Sequence, residues 1–258
     1  MLTREITFYC HHGMSITQAK QLSRLAGMFK SCIRGANLTR RQTVTVSNQL
    51  SLLTLAIQPG DLCQLQIEGN DAELAHMAFT CWCGELGQPL VRPATAALAA
   101  LAEQRLADAL PDYCFTLAQL GHCQTGLDKP QALSQLINLL PAQLVTDSAG
   151  LADELTAREQ IAATIIRPGL AMPHVLSSRV TRPALALLAS KAPIEWGSRI
   201  GPVQTLILLA IPTGSPRETL LPLTRLARAM LDDVIASALL KASSAPARQA
   251  IVVESLLG

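Results

Sequence analysis

The stretch with the most usable chemistry runs from Ala157 to His174 and reads AREQIAATIIRPGLAMPH. His174 follows Pro173, whose ring fixes the backbone and removes a donor. A histidine held this way presents one ring nitrogen to solvent while a backbone acceptor fixes the other. Arg158 stands sixteen residues earlier. Its planar fork would steady a phosphate on the free nitrogen if the fold brought the two together. Spacing alone does not do so. A packed loop histidine and a surface arginine fit the same pattern, and one His with one Arg is a weak motif.

A second cluster lies near the N-terminus. His11 and His12 precede Gly13, and Ser15 is followed by Gln18. Ser15 and Gln18 form a capping box, so a helix should begin there. A serine hydroxyl is a poor nucleophile without a base, and Ser15 reads first as a helix cap. The helix mouth remains a weak anion site, and His12 is the candidate nucleophile beside it. Cys10, His11, Cys81 and Cys83 offer zinc-type donors, against a plainer reading as loop residues beside packed thiols. Their spacing matches no recurring metal pattern, and no metal or other cofactor is expected. The seven cysteines are scattered without a C-x-x-C, which suits free, mostly packed thiols.

These residues need a scaffold, and composition bounds it. The 258 residues suit two small domains. A hydrophobic content of 49% disfavours disorder. A net charge of +2 with 3% aromatics excludes a strongly basic nucleic-acid binder and disfavours a stacking platform. No apolar run approaches the roughly 18 residues of a membrane helix, and Leu206–Ile211 is strand-sized. Arg4 and Glu5 stand where a signal peptide would be apolar. A cytoplasmic protein is expected.

Patterning divides the chain into residues 1–87, an Ala/Pro-rich linker at 88–111, and residues 112–258. In the first part Ile6, Phe8 and Cys10 alternate as in a half-buried strand. A helix follows Ser15, with Ala19, Leu22, Leu25, Ala26 and Phe29 at helical spacing. Strands are predicted at Cys32–Ala36, Thr43–Val46 and around Cys63, Leu65 and Ile67. Asn48 should cap a short helix, and Asn70 a longer one carrying Leu74, Met77, Ala78 and Cys81. The order is β-α-β-β-α-β-α, one sheet with helices on one side. The linker should be helical from Pro93. The last part should hold helices at 129–140, 150–160, 216–231, 232–241 and 246–256, and strands near 163–167, 184–190 and 204–211. Ser215–Pro216–Arg217–Glu218 reads as a capping box, and Pro222 should kink or strain the helix that follows. The fold class is α/β (α+β).

Residues 112–258 resemble the enzyme IIA domain of the mannitol/fructose class in the bacterial sugar phosphotransferase system (PTS). The carriers are Arg158–Glu159, the Ala171–Met172–Pro173–His174 motif, Pro193–Ile194, Val203–Pro212 and Leu220–Arg228. The resemblance implies a sheet flanked by helices. It implies that His174 accepts a phosphoryl group from an HPr-type carrier, itself charged by enzyme I, and hands it to an enzyme IIB partner. Arg158 would assist, and a membrane would be involved only through a sugar permease. Members often carry a second histidine where this chain has Thr219, which is either an ordinary helical residue or a hydroxyl donor to the phosphate. Glycines often stand at the positions of Ile165, Arg167 and Val175. Arg167 would add charge to the site or solvate a loop. Thr164 is a further phosphate-stabilising candidate.

Residues 1–87 resemble the histidine-containing phosphocarrier HPr, an open-faced sandwich. The anchors are Glu5–Ile6–Thr7, Gly13, Ala19, Thr54–Leu55, Gly60 and Glu68–Gly69–Asn70–Asp71. The family's G-L-H-[AT]-R-P-A segment here runs Gly13–Met14–Ser15–Ile16–Thr17–Gln18–Ala19. Ser15 stands at the phosphorylated histidine position, Thr17 at that of its arginine, and Asn48 at that of a regulatory serine. A pseudo-phosphocarrier is therefore expected. Two functions follow from these resemblances: a phosphoryl carrier working through His174, or a non-enzymatic regulatory or docking protein that binds PTS partners through Met14, Ile16 and Leu50. Neither names a sugar.

Overall fold

The computed structural model describes residues 2–89, 95–119 and 126–258. In chain order the elements are β1 (Leu2–Cys10), α1 (Ile16–Ala26), β2 (Cys32–Asn37), β3 (Gln42–Thr45), α2 (Gln49–Thr54), β4 (Leu62–Gly69), α3 (Ala72–Leu86), β5 (Gly87–Pro89) and α4 (Thr95–Ala109). There follow β6 (Cys114–Gln119), α5 (Lys129–Leu139), a short 3-10 turn at Ala142–Leu144, α6 (Ser148–Ile161), β7 (Ile165–Arg167), β8 (Gly169–Ala171), β9 (His174–Ser177), β10 (Ala184–Ile194) and β11 (Val203–Pro212). The chain ends in α7 (Arg217–Leu231), α8 (Asp233–Lys241) and α9 (Ala245–Leu257). It divides into two compact units. One runs to Arg105 and takes in Asp232–Gly258, and the other is Leu106–Leu231.

The first unit holds an antiparallel sheet in the order β3-β2-β4-β1-β5. Ile6, Phe8 and Cys10 of β1 and Cys63, Leu65 and Ile67 of β4 point to α1, α2 and α3. There they meet Ala19, Leu22, Leu52 and Phe79 in one core. Ser15 caps α1 as its sequence demands. Its hydroxyl accepts from the Gln18 amide at 3.2 Å, and the Gln18 side chain accepts from the Ser15 amide at 2.8 Å. Gly13 turns the chain into that cap at φ 72°, and a Cβ there would lie 2.9 Å from the Ile57 carbonyl. The linker helix forms as α4, and the expected start at Pro93 lies outside the described residues.

Three expectations for this unit need correction. First, α3 buries the opposite face from the one the pattern suggested. Ala72, Ala75, Phe79, Cys83 and Leu86 are interior, whereas Leu74 is 65% and Met77 62% exposed, and Cys81 is exposed. Small alanines let the helix lie close to the sheet, and the large ring of Phe79 fills the gap beyond them. Second, α3 starts after Asp71 rather than Asn70. The Asp71 carboxylate binds the preceding turn instead, accepting from the Lys30 amide at 2.7 Å, the Ser31 amide at 2.9 Å and the Ser31 hydroxyl. Third, β1 is buried on both faces. Glu5 and Thr7 are interior on the side away from α1 and α3, as is Gln64 of β4.

That second face explains why the last residues group with the first unit rather than with the rest of 112–258. Glu5 accepts from the Ser243 amide and hydroxyl, each at 2.8 Å, and from the Thr7 hydroxyl at 2.6 Å. The Gln64 amide donates to Thr7 Oγ1 at 3.0 Å and to the Ala238 carbonyl at 3.2 Å. The Tyr9 hydroxyl donates to Glu254 at 3.2 Å, and Arg105 pairs with the same carboxylate at 2.9 Å. Burial pushes the Glu254 carboxyl up, and Arg105 opposes it. The α8–α9 segment thus meets polar strand residues with matched donors and acceptors, as buried polar groups require.

The second unit is built on a sheet in the order β6-β10-β11-β8-β7, with β9 also paired to β11. β11 runs parallel to β8 and β9 and antiparallel to β10, which runs parallel to β6. Ala184, Ala186, Leu188, Leu206, Leu208 and Ala210 pack with Leu133, Leu136, Leu151 and Leu155 of α5 and α6. The alternate set Leu185, Leu187, Ile207 and Leu209 is buried too, which is why these strands read as near-continuous apolar runs. Strands β6, β8 and β9 were not anticipated. α7 starts at Arg217, and the Ser215 hydroxyl donates to the Pro212 carbonyl at 2.8 Å. Pro222 is buried within α7, which continues through it to Leu231. Among the described residues no helix is long and apolar enough to cross a membrane.

Two substitutions test this packing. Phe79→Ala should destabilise the protein by about 4 kcal/mol, and Leu74→Ala or Met77→Ala by less than about 0.5 kcal/mol, by chemical denaturation. The Ser31 hydroxyl and then the Lys30 amide hold the Asp71 carboxyl below its usual range. Such a group stabilises the fold above its unfolded pKa, and the contribution fades as pH falls through the folded one. Asp71→Asn should therefore melt lower than wild type at neutral pH, and the gap should close in acid.

Candidate functional site

His174 opens β9, opposite Leu209 of β11. The Pro173 carbonyl before it accepts from the Leu209 amide at 2.9 Å, so the ring's backbone is fixed to the central strand. Arg158 lies in the last turn of α6, where a cation suits the helix dipole. One arm of its guanidinium donates to the Ala162 carbonyl at 3.3 Å. The other reaches His174 Nε2 at 3.1 Å, and His174 Nδ1 lies 3.2 Å from the Met172 carbonyl. Both side chains are partly buried. The fold thus closes the gap that spacing left open.

These contacts assign the ring's state. A guanidinium has only donors, so Nε2 must accept. The proton then sits on Nδ1, which donates to Met172. The resting imidazole is neutral, with its lone pair on the side of the arginine.

Glu159, the residue after Arg158, points inward and is nearly sealed from solvent, with 1% of its side chain exposed. Lys129 Nζ pairs with it at 2.9 Å and Trp196 Nε1 donates at 3.1 Å. The Thr164 hydroxyl donates to the other oxygen, and the Thr164 amide lies 3.4 Å from Oε2. Lys129 also sits 5.0 Å from the centre of the Trp196 ring. At the other end of α6, Arg179 binds Asp147 at 2.9 Å and also Glu154. The helix carrying Arg158 is tied down at both ends.

The remaining candidates fall in several places. Thr164 is committed to Glu159. Arg167 ends β7 and is half-buried. Thr219 sits in the first turn of α7, and its carbonyl accepts from the Tyr113 hydroxyl, which burial pushes up to about 12. In the first unit, Ser15 is exposed and engaged in its cap, Thr17 and His12 are exposed, and Asn48 caps α2. The zinc alternative is not supported. Cys10 and Cys83 are interior, Cys81 is exposed, and no group of metal-type ligands occurs among the described residues. Sequence reasoning gave Glu159, Lys129 and Trp196 no role. A glutamate directly after the arginine was the available signal, but its partners lie far away in sequence.

The family comparison covers the stretch of chain that holds this geometry. The model for "Phosphoenolpyruvate-dependent sugar phosphotransferase system, EIIA 2" matches residues 115–254. This chain belongs to the PTS EIIA 2 family. The model for "PTS HPr component phosphorylation site" matches residues 2–81, so HPr and EIIA domains follow one another here. A nitrogen regulatory protein of Pseudomonas aeruginosa is 33% identical over 132 residues, 50% of this chain and 85% of that protein. Among solved structures, nitrogen regulatory protein IIA-Ntr from Neisseria meningitidis aligns with TM-score 0.46 and 23% identity, covering 55% of this chain and 93% of its own. The phosphocarrier protein HPr from Bacillus anthracis aligns with TM-score 0.28 and 22% identity, covering 31% and 94%.

The EIIA unit carries one measurable consequence of this geometry. Lys129→Met would leave the Glu159 carboxylate buried without its cation. It should lower stability by about 3 kcal/mol, by urea denaturation followed by circular dichroism.

Proposed function

We propose that this chain is a phosphoryl carrier of the phosphotransferase system, with His174 Nε2 as the acceptor. The observation that carries this reading is the ring itself, with Nδ1 bonded to Met172 and Nε2 facing Arg158. The Nε2 lone pair attacks the phosphorus of a phosphohistidine on an HPr-type donor. The N–P bond to the donor breaks as the new one forms, and the donor imidazole leaves with its electron pair. Phosphoryl transfer asks for an in-line nucleophile and positive charge around the equatorial oxygens. Arg158 supplies that charge by moving its donors from Nε2 to the phosphoryl oxygens. The Nδ1–H bond to Met172 steadies the ring while it carries phosphate. The group then passes to an enzyme IIB partner, and a sugar permease would be reached only through it. Thr219 and Arg167 are further candidates for touching the phosphate. The protein works in the cytoplasm on this reading, and it needs no metal.

A second reading has its own support. Around the eroded HPr position, Ile16 is 67% and Leu50 74% exposed, and one relative is a nitrogen regulatory protein. On this reading the HPr-like domain is a docking surface for a PTS partner such as enzyme I, and the protein regulates without transferring phosphate. Such binding would survive His174→Ala and be lost in Ile16→Asp with Leu50→Asp.

The deciding measurement is acid-labile label from phosphoenolpyruvate, enzyme I and an HPr-type donor. Wild type should take one phosphate on His174, His174→Ala none, and Arg158→Ala should be charged about 100-fold more slowly. No label on a folded wild type, with a competent EIIA control, would leave only the docking reading.

A further inference from the structure

Glu159 is a buried carboxylate that the transfer scheme does not use, yet its contacts lead step by step to the reacting ring. It binds the side chain and amide of Thr164. The Thr164 carbonyl accepts from the Met172 amide at 2.9 Å. The Met172 carbonyl accepts from His174 Nδ1. On its other side Glu159 is the direct neighbour of Arg158, which binds Nε2. Both nitrogens of the imidazole are therefore held by partners whose own positions depend on one carboxylate. Glu159 is in turn anchored by Lys129 and Trp196.

We propose that Glu159 is the positioning residue of this site, fixing the His174 tautomer through Thr164 and Met172 and the reach of Arg158 through α6. This rests on the reading of His174 as the phosphate acceptor. The physical requirement is narrow. A nucleophilic Nε2 needs the proton kept on Nδ1, and an exposed histidine has no strong reason to keep it there. Four donors converge on Glu159: Lys129 Nζ, Trp196 Nε1, and the Thr164 amide and hydroxyl. A carboxylate can accept from all four, whereas a carboxamide turns one of its two heads into a donor. Glu159→Gln keeps shape and volume and breaks the match. Thr164 then loses an anchor, and the Met172 carbonyl is no longer held against the ring.

The experiment is nitrogen-15 NMR of the histidine rings in the full chain, with His174 assigned by its loss in His174→Ala. Wild type should show His174 in the Nδ1–H form. Glu159→Gln should reduce the ratio of the Nδ1–H to the Nε2–H form by about fivefold, the weight of one hydrogen bond. Thr164→Val, which removes only the hydroxyl, should shift the ratio the same way by less, and Thr164→Ser should restore it. An unchanged tautomer in folded Glu159→Gln overturns the proposal. If that variant does not fold, an unchanged tautomer in Thr164→Val overturns it. Should wild type hold the Nδ1–H form and still take no phosphate, the transfer reading fails while the positioning role stands.

Discussion

Arginine offers five N–H groups and no lone pair, and that one-sidedness organises the EIIA unit. With Arg158 3.1 Å from Nε2, the imidazole must put its proton on Nδ1, and Nδ1 must then find an acceptor. Met172 supplies one only because the chain is pinned around it. Its amide is held by Thr164 and the Pro173 carbonyl by Leu209, while proline removes the N–H that would compete. The short strands β8 and β9, both paired to β11, are the framework for the three-residue segment 172–174, which presents one carbonyl and one ring.

In the HPr-like unit, the helix mouth carries Ser15 where the family resemblance expects a histidine. Ser15 closes the α1 terminus with a reciprocal pair of bonds to Gln18. The donors that would otherwise greet an anion at a helix mouth are partly satisfied by the chain itself. On the other side of the sheet, Glu5, Thr7 and Gln64 would be costly to bury alone. They find their partners in α8 and α9. The sheet thus has a structural duty on the face opposite α1.

How far these features were legible depends on how locally each is determined. The α1 cap is a matter of residues 15–18, and it was read correctly. So were the ends of most helices in the EIIA unit, where periodicity runs for three turns or more. The three-residue strand β8 is too short to show a period. α3 failed for a different reason. Its sequence carries two apolar stripes, and Leu74 and Met77 are individually more hydrophobic than the alanines beside them. The sheet chose the stripe that let the helix approach, a choice made by partners in β1 and β4. At the site, Arg158 and His174 could be named from their motif, but Glu159 became meaningful only once Lys129 and Trp196 were brought to it across long separations.

The sixteen-residue interval between Arg158 and His174 has a mechanical meaning in this frame. α6 and β9 run in opposite senses, since Glu154 meets Arg179 just past the end of β9 and Arg158 meets His174 at its start. Glu154 and Arg158 are four apart and share a helix face. Shifting the arginine by one position would rotate it by about 100° and move it by about 1.5 Å along the axis, away from the ring. The ion pairs at Arg179 and Lys129 hold that register from both ends of the helix. Exposed pairs contribute little to stability on their own, so the Arg179 contacts are better understood as fixing alignment. The buried Glu159 pair does the same work nearest the ring, where an error of about 1 Å would matter most.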